Sequence, residues 1–225
     1  MPRDASLSQA IQDYLKAIFE ISPEGGPTTT NQIAERLGVK PASVTGMIKR
    51  LAALDPPLLS YQKHHGVQLT DAGRQVSLQV IRKHRLIERF LVQTLGYSWD
   101  EVHEEAERLE HAVSFQFAER LARLLGEPDF DPHGDPIPDR DLKLPKMRTI
   151  SLMDAPKGSN VSIRRVLSSD PELLRYLTRM GVQPGAEITV VEQVPFDRTV
   201  HIRAGNEERV LGADISTLLQ VEVLK

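Results

Sequence analysis

Hydrophobic residues recur at intervals of three and four over much of the first 125 positions, which is the spacing of amphipathic helices. The first such pattern covers residues 5–21. Two shorter patterns follow, over residues 30–37 and from Pro41 to about residue 54, and Gly38 falls where the first of them should end. Two helices joined by so short a turn predict a helix-turn-helix.

Two segments typical of β-strands come next. Residues 58–63 and 67–69 flank a turn at residues 64–66, so we expect a β-hairpin that forms the wing of a winged helix-turn-helix. Helical spacing returns over residues 72–95 and 98–125. We therefore expect two long helices after the wing.

Prolines and aspartates are frequent in residues 127–147, a composition poorly suited to regular structure, and we expect a domain boundary there. Beyond it, a short helix is expected near residues 171–180. Four strand-like segments lie around this helix, at residues 161–163, 188–191, 199–202 and 219–223. The fold class predicted for the whole chain is mainly α with β, ending in a small β-barrel.

The amino-acid composition limits which ligands and partners the chain could bind. The chain has no cysteine, so a metal would have to be bound by His, Asp and Glu. No apolar run approaches the ~20 residues that span a bilayer, and the N-terminus lacks the features of a secretory signal. We therefore expect a cytoplasmic protein with no membrane partner. The net charge of −3 argues against a wholly basic nucleic-acid-binding surface but allows a local one.

A local basic surface coincides with the helix-turn-helix, because no acidic residue falls between Arg36 and Leu54. The second helix of the motif is expected to enter the major groove of double-stranded DNA, with phosphate contacts that make binding dependent on salt. A winged helix used only for protein contacts is the alternative. The candidate DNA-binding residues are Arg36, Lys40, Ser43, Thr45, Lys49 and Arg50, with Lys63 and His64 at the tip of the wing.

The two long helices carry the candidate metal ligands. His84 and Glu88, four residues apart, share a face of the first helix. The second helix presents four candidates within about 100° of one face: His103, Glu107, Glu110 and His111. Convergent imidazoles and carboxylates repel each other unless a cation lies between them, which favours a divalent metal. The alternative is an acidic, solvated helix face paired with Arg108.

Five stretches of the first 140 residues resemble the diphtheria toxin repressor family of iron- and manganese-dependent regulators, including its manganese transport regulator branch. In chain order they are AIQDYLKAIFE, IAERLGVKPASVTGMIKRL, RKHRLIERFL, HEEAERLEHAVS and HGDPIP. The C-terminal part is similar to the SH3-like domain of that family. With the patterns above, the resemblance implies four segments: a winged helix-turn-helix DNA-binding domain (1–71), a helical dimerisation and metal-binding domain (72–126), a Pro-rich linker (127–147) and an SH3-like domain (148–225).

The family pattern also implies two sets of metal ligands. The first set is Asp13, Glu107, Glu110 and His111. The second set is His84, Glu88 and His103, with a C-terminal ligand from Asp170 or Glu172.

This chain differs from each branch of the family at particular ligand positions. In the manganese branch, His84 would join the first set in a two-metal centre, together with a carboxylate three residues after Asp13, where this chain has Lys16. Iron-type members have Met and Cys in place of Asp13 and Glu107. Because oxygen is a harder ligand than sulfur, the carboxylates shift the metal preference towards Mn²⁺.

The predicted function is a transcriptional regulator that uses Mn²⁺ or Fe²⁺ as its cofactor and binds DNA as a homodimeric repressor of metal-uptake genes. A symmetric dimer implies a near-palindromic operator. One alternative is a DNA-binding regulator that responds to an organic ligand or binds constitutively. The other, a metal-dependent hydrolase, has little support because the chain lacks HExxH, phosphate-loop and nucleophile-elbow motifs. The residues expected at the dimer interface are Leu86, Ile87, Phe90, Leu91, Val113, Phe115, Phe117 and Leu121.

Overall fold

The computed structural model describes residues 7–62 and 65–224. The chain divides into two compact units. The first contains the described part of Met1–His84 with Leu109–Arg120 and Pro138–Lys143. The second contains Arg85–Arg108, Leu121–Ile137 and the described part of Leu144–Lys225. No helix in the described ranges has both the length and the apolar character needed to span a membrane.

The first unit begins with three helices, α1 (Gln9–Ile21), α2 (Thr30–Leu37) and α3 (Pro41–Ala52). Thr29 and Gln32 form a capping box at the start of α2. Gly38 ends that helix with a φ of 63°, a left-handed conformation that glycine adopts without steric cost. The apolar sides of the three helices share one core, which includes Leu15, Ile18, Ile33, Ile48 and Leu51. The predicted helix-turn-helix is therefore present.

An antiparallel hairpin follows, formed by β1 (Leu59–Gln62) and β2 (Gly66–Leu69). Leu59 and Val67 point into the same core as the three helices. These two buried side chains anchor the predicted wing to the helix-turn-helix. Lys63 and His64, which we expected at its tip, lie outside the described residues.

The helical region differs from the prediction in one respect. Helix α4 (Asp71–Leu95) matches the first predicted helix, but the second is two helices, α5 (Val102–Leu109) and α6 (Phe115–Leu124). Ser114 explains the break, since its side-chain oxygen accepts a hydrogen bond from the Phe117 amide at 3.2 Å and caps the start of α6. Helix α5 ends at Leu109, so Glu110 and His111 lie in the turn that follows it and not on one continuous helix with His103.

The C-terminal part of the second unit is a six-stranded antiparallel sheet with strand order β3-β8-β4-β5-β6-β7. Its strands are β3 (Ile150–Ser151), β4 (Asn160–Val166), β5 (Glu187–Gln193), β6 (Val200–Ala204), β7 (Glu207–Leu211) and β8 (Leu219–Val223), with helices α7 (Pro171–Arg179) and α8 (Ala213–Leu218). All four predicted strands are present. The edge strand β7 escaped prediction because its sequence, EERVL, is mostly polar.

Candidate metal centre and DNA-binding surface

The first unit contains a cluster of three metal-ligating side chains. Asp13 comes from α1, whereas Glu110 and His111 come from the turn that follows α5. His111 Nε2 lies 2.8 Å from Asp13 Oδ1 and 3.2 Å from Glu110 Oε1. Two ligands bound at right angles about 2.1 Å from one metal ion are about 3.0 Å apart, so these distances fit a shared ion.

Hydrogen bonds determine which nitrogen of His111 faces the cluster. Gln12 Nε2 donates to the Leu7 carbonyl at 3.1 Å, which turns Gln12 Oε1 towards the imidazole. An amide oxygen only accepts, so its contact of 3.1 Å with His111 Nδ1 places a proton on that nitrogen. In the neutral imidazole, Nε2 then directs its lone pair at Asp13 and Glu110, as a metal-binding histidine requires.

Two buried atoms of the cluster, Glu110 Oε1 and His111 Nε2, have no hydrogen-bond partner within the described part of the chain. Leaving a buried polar atom unsatisfied costs about 1–3 kcal/mol. A divalent cation between these atoms and Asp13 would satisfy them together. The residues present therefore fit a metal ion.

A lysine lies on the other side of Glu110. Lys16 Nζ is 2.8 Å from Glu110 Oε2 and 3.1 Å from His84 Nδ1, and His84 Nδ1 is 2.5 Å from the same carboxylate oxygen. Burial raises the pKa of Glu110, but the hydrogen bond from His84 and the positive charge of Lys16 outweigh it and hold this pKa below its usual value. Glu110 is thus ionised at neutral pH, with one oxygen on Lys16 and the other facing His111.

In the second unit, Glu88 of α4 lies between two histidines. Its Oε1 is 3.2 Å from His103 Nδ1, and its Oε2 is 3.6 Å from His133 Nδ1. On α5, Glu107 Oε1 is 3.7 Å from His103 Nε2. The candidates Glu88, His103 and Glu107 therefore lie together in the second unit.

Asp131 and His133 are buried but were not among the residues predicted as metal ligands. With Glu88 they form a group whose ligand atoms all lie within 4.8 Å of one another. Because the surrounding prolines and aspartates predicted an irregular linker, this pair was not considered as a candidate for metal binding. One feature of the sequence could have identified this pair. His133 is the one histidine between residues 112 and 200, and Asp131 lies two positions before it.

The two candidates from the SH3-like domain have a different environment. Asp170 is the N-cap of α7, and its Oδ1 accepts hydrogen bonds from the Glu172 and Leu173 amides at 2.8 and 2.9 Å. Neither Asp170 nor Glu172 belongs to a group of three close metal-ligating side chains within residues 7–62 and 65–224. Helix capping by itself accounts for the position of Asp170.

The second helix of the helix-turn-helix presents a polar, basic face. Ser43, Lys49 and Arg50 are exposed, while Val44 and Ile48 on the opposite side are buried. Burial of one side of α3 thus leaves the other free to approach a DNA groove. Thr45, also a candidate, is half-buried, and its hydroxyl donates to the Pro41 carbonyl at 3.1 Å.

The remaining basic candidates differ in their surroundings. Lys40 is exposed at the N-cap of α3. Arg36 is also exposed, but its Nη2 lies 2.5 Å from Glu20 Oε2 of α1. This ion pair offsets the charge of Arg36, so Lys40, Lys49 and Arg50 carry more of the positive charge available to a phosphate.

The chain matches three family models in sequence order. They describe the N-terminal DNA-binding domain of iron-dependent repressors (residues 6–67), the metal-binding and dimerisation domain of the same repressors (residues 70–139) and a FeoA domain (residues 150–223). The iron-dependent repressor IdeR of Mycobacterium leprae is 33% identical over 221 residues, covering 93% of this chain and 95% of IdeR. The diphtheria toxin repressor of Corynebacterium diphtheriae is 27% identical, covering 94% and 96%.

Solved structures give the same result. A manganese-dependent transcriptional repressor in complex with manganese superposes with a TM-score of 0.85 at 36% identity, covering 95% of this chain and 100% of that one. ScaR with bound Zn²⁺ superposes with a TM-score of 0.80 at 37% identity, covering 95% and 99%.

A chain with this fold and this donor set is a metal-dependent, DNA-binding transcriptional regulator. It belongs to the iron-dependent repressor family, of which the diphtheria toxin repressor is a member. This membership confirms the predictions of fold class, of regulatory rather than enzymatic function, and of Mn²⁺ or Fe²⁺ as the cofactor.

Proposed function

We propose that the chain is a homodimeric repressor of metal-uptake genes in the cytoplasm and that Asp13, Glu110 and His111 hold the regulatory Mn²⁺ or Fe²⁺. The observation that carries this proposal is the pair of buried, unsatisfied atoms on Glu110 and His111, both directed at Asp13. The remaining sequence-based assignments, Glu107 to this site and His84 to a site with Glu88 and His103, stay predictions.

The position of Asp13 supplies a physical link between metal and DNA. Asp13 lies on α1, whose apolar side packs into the core of the helix-turn-helix through Leu15 and Ile18. A bound ion supplies the positive charge that holds Asp13 against Glu110 and His111. Ordering of α1 is therefore coupled to ordering of α3, the helix expected to enter the DNA groove. As a result, metal affinity and DNA affinity should rise together.

The donor chemistry favours Mn²⁺ over softer ions. The cluster offers two carboxylates and one imidazole, and the chain has no thiolate. Hard oxygen donors suit Mn²⁺, whereas thiolate and thioether donors favour softer metals. Among the divalent ions available, we expect Mn²⁺ to activate DNA binding at least as well as Fe²⁺.

Metal-titrated DNA binding tests the proposed function. The metal-free protein should bind a near-palindromic operator only weakly, and addition of Mn²⁺, or of Fe²⁺ without oxygen, should tighten binding reversibly. Fluorescence anisotropy of a labelled operator measures this directly, with EDTA as the reversal control. Equal affinity with and without metal would contradict the proposal and support a constitutive DNA-binding protein.

The exposed basic residues of α3 lead to a prediction about salt. If Lys49 and Arg50 contact phosphates, Lys49→Ala and Arg50→Ala should each reduce the slope of log K against log salt concentration by about one per contact. Metal affinity should not change. Lys146→Ala, an exposed lysine of the second unit, is the matched control. Unchanged slopes in both α3 variants would place these side chains away from the DNA backbone.

The proposed dimer uses an exposed apolar face of α6. Of the residues predicted at the interface, Leu86, Ile87, Leu91 and Leu121 are already buried within the chain. Phe117 and Leu124, seven residues apart and hence on one side of α6, are 47% and 67% exposed. The family's dimerisation model covers both residues, which supports their place in the interface.

Phe117→Glu should therefore convert the dimer to a monomer, because a charge would have to be buried at the contact. Light scattering with metal present measures the mass. Phe196→Glu is the matched control, since Phe196 is 99% exposed and lies in the SH3-like domain. If Phe117→Glu remains dimeric at the wild-type dissociation constant, the interface lies elsewhere.

We also propose the domain division 1–71, 72–126, 127–147 and 148–225. The family-model matches at residues 6–67, 70–139 and 150–223 support the first and last boundaries. The segment 127–147 is proposed as an ordered connection rather than a loose one, because it contributes the buried Asp131 and His133.

A further inference from the structure

Helix α3 has an exposed glycine in its interior. Gly46 lies in the middle of the 12-residue helix Pro41–Ala52. Glycine is unfavourable inside a helix relative to alanine, because it loses more backbone freedom on folding. The presence of Gly46 therefore needs a conformational, steric or functional reason.

Neither backbone conformation nor packing within the chain explains this glycine. Gly38, which ends α2, has a φ of 63°, whereas Gly46 is not among the glycines with a positive φ. Outside its own helix turns, a Cβ at Gly46 would meet no atom within 4 Å in residues 7–62 and 65–224. A Cβ at Gly73, by contrast, would collide with the Leu58 carbonyl oxygen. The reason for Gly46 thus lies outside the chain.

Gly46 is at the centre of the exposed face of α3. At 100° per residue it lies within about 20° of the direction opposite to the three buried residues of the helix. Lys49 and Arg50 are exposed and fall on either side of this direction, about 60° and 40° from it. Two positive charges therefore flank the point at which the side chain is missing.

We propose that Gly46 determines how closely α3 approaches the base edges in the major groove and thereby how well the protein discriminates between DNA sequences. The inference rests on the DNA-binding function that the family match over residues 6–67 gives to this domain. It adds a specificity-determining residue whose contribution is the absence of a side chain.

The dimensions of the helix and the groove support this role. An α-helix with its side chains is about 10–12 Å across, and the major groove of B-DNA is about 12 Å wide. A side chain that points at the floor of the groove therefore holds the helix backbone away from the bases. With glycine at this point, backbone atoms of α3 can touch the base edges, while the longer Lys49 and Arg50 reach phosphates at the sides of the groove.

Close contact with base edges affects selective binding more than general binding. Non-specific affinity comes from phosphate contacts and does not require α3 to fit against particular bases. Sequence discrimination requires contacts with base edges or a matching DNA shape. A side chain at position 46 should therefore weaken binding to a preferred sequence and leave non-specific binding nearly unchanged.

Fluorescence anisotropy with two labelled duplexes of about 30 base pairs, long enough for two half-sites, tests the proposal. The first duplex is the one most enriched when the Mn²⁺-loaded, full-length chain selects from a randomised pool. The second has the same composition in scrambled order. Gly46→Ala should weaken binding to the selected duplex by about 10-fold and Gly46→Gln by more than about 100-fold. Affinity for the scrambled duplex should change by less than about threefold.

Protein stability provides an independent readout. Gly46→Ala should raise the urea midpoint of the metal-free chain, because alanine favours the helix. Weaker DNA binding by a more stable protein cannot result from unfolding. Gly212 of the second unit is the matched control, since its φ is −66° and a Cβ there also meets nothing within 4 Å in the described part of the chain. Gly212→Ala and Gly212→Gln should bind both duplexes like wild type.

The competing explanation is that the glycine makes α3 flexible. Any Cβ removes that flexibility, so the alanine and glutamine variants would then lose affinity equally, and this result would overturn the proposal. Wild-type affinity of both Gly46 variants for the selected duplex would also overturn it, with the DNA-binding function intact. If the wild-type chain enriches no sequence, the DNA-binding function itself fails, and the role of Gly46 fails with it.

Discussion

His111→Ala is expected to reduce metal affinity by more than about 100-fold and to abolish metal-dependent DNA binding. The variant removes one of three donors and leaves Asp13 and Glu110, two carboxylates, without the imidazole that completes the group. Gln12→Ala should have an intermediate effect of about 10–100-fold, because Gln12 orients His111 and does not touch the ion itself. Loss of that hydrogen bond leaves the imidazole free to rotate or to adopt the other tautomer.

Both variants should be measured by metal titration and by operator binding on the same preparations. Because the two ligands are thermodynamically linked, the factor by which metal tightens DNA binding should equal the factor by which DNA tightens metal binding in each variant. His201→Ala is the control, since His201 lies on β6 in the second unit. A His111→Ala protein that still requires Mn²⁺ for DNA binding at wild-type concentrations would show that His111 is not a ligand.

Lys16→Met is expected to lower the free energy of unfolding of the metal-free protein by about 3–5 kcal/mol. The substitution leaves the side chain apolar and similar in length, but it removes the cation 2.8 Å from Glu110 Oε2. Glu110 is fully buried, so its negative charge would lose its closest lysine partner in an environment that cannot solvate it. Metal should stabilise this variant more than wild type, because the ion would take over part of that compensation.

Urea unfolding with EDTA and with Mn²⁺ measures both effects. Lys16→Arg keeps the positive charge and should recover most of the stability, so a charge effect can be separated from a packing effect. Equal destabilisation in the Met and Arg variants would mean that the shape of Lys16, not its charge, matters. A Met variant as stable as wild type without metal would show that Glu110 does not depend on Lys16.

Local patterns in the sequence predicted the helix-turn-helix because its signals act over a few residues. Gly38 at the end of α2 and Pro41 at the start of α3 are two such signals, and the cap that the structure places at Thr29 is also satisfied by neighbours in the chain. Helix α4 follows from the period of the hydrophobic residues, and the wing follows from two strand-like segments on either side of a turn. His84, Glu88, His103 and Glu107 were found in the same way, as residues of metal-binding type at helical spacing.

Tertiary structure decided which of these residues meet. Asp13 and His111 are nearly 100 positions apart, and only the packing of α1 places them 2.8 Å from each other. Helix α5 ends at Leu109, so Glu110 and His111 lie in the turn that follows it, before Ser114 caps α6.

The group of Asp131 and His133 shows the same limit most clearly. In the sequence they lie in a segment rich in proline and aspartate, a composition that gives no periodic signal. The tight turn at Gly134 packs against the Arg164 carbonyl, the Trp99 carbonyl orients the His133 ring, and the His133 and Asp135 amides orient the Asp131 carboxylate. Residue type and spacing thus determined what this chain can bind and which helices it forms. Contacts between distant segments decided where the metal-ligating side chains converge, because burial and hydrogen-bond geometry are properties of the packed chain.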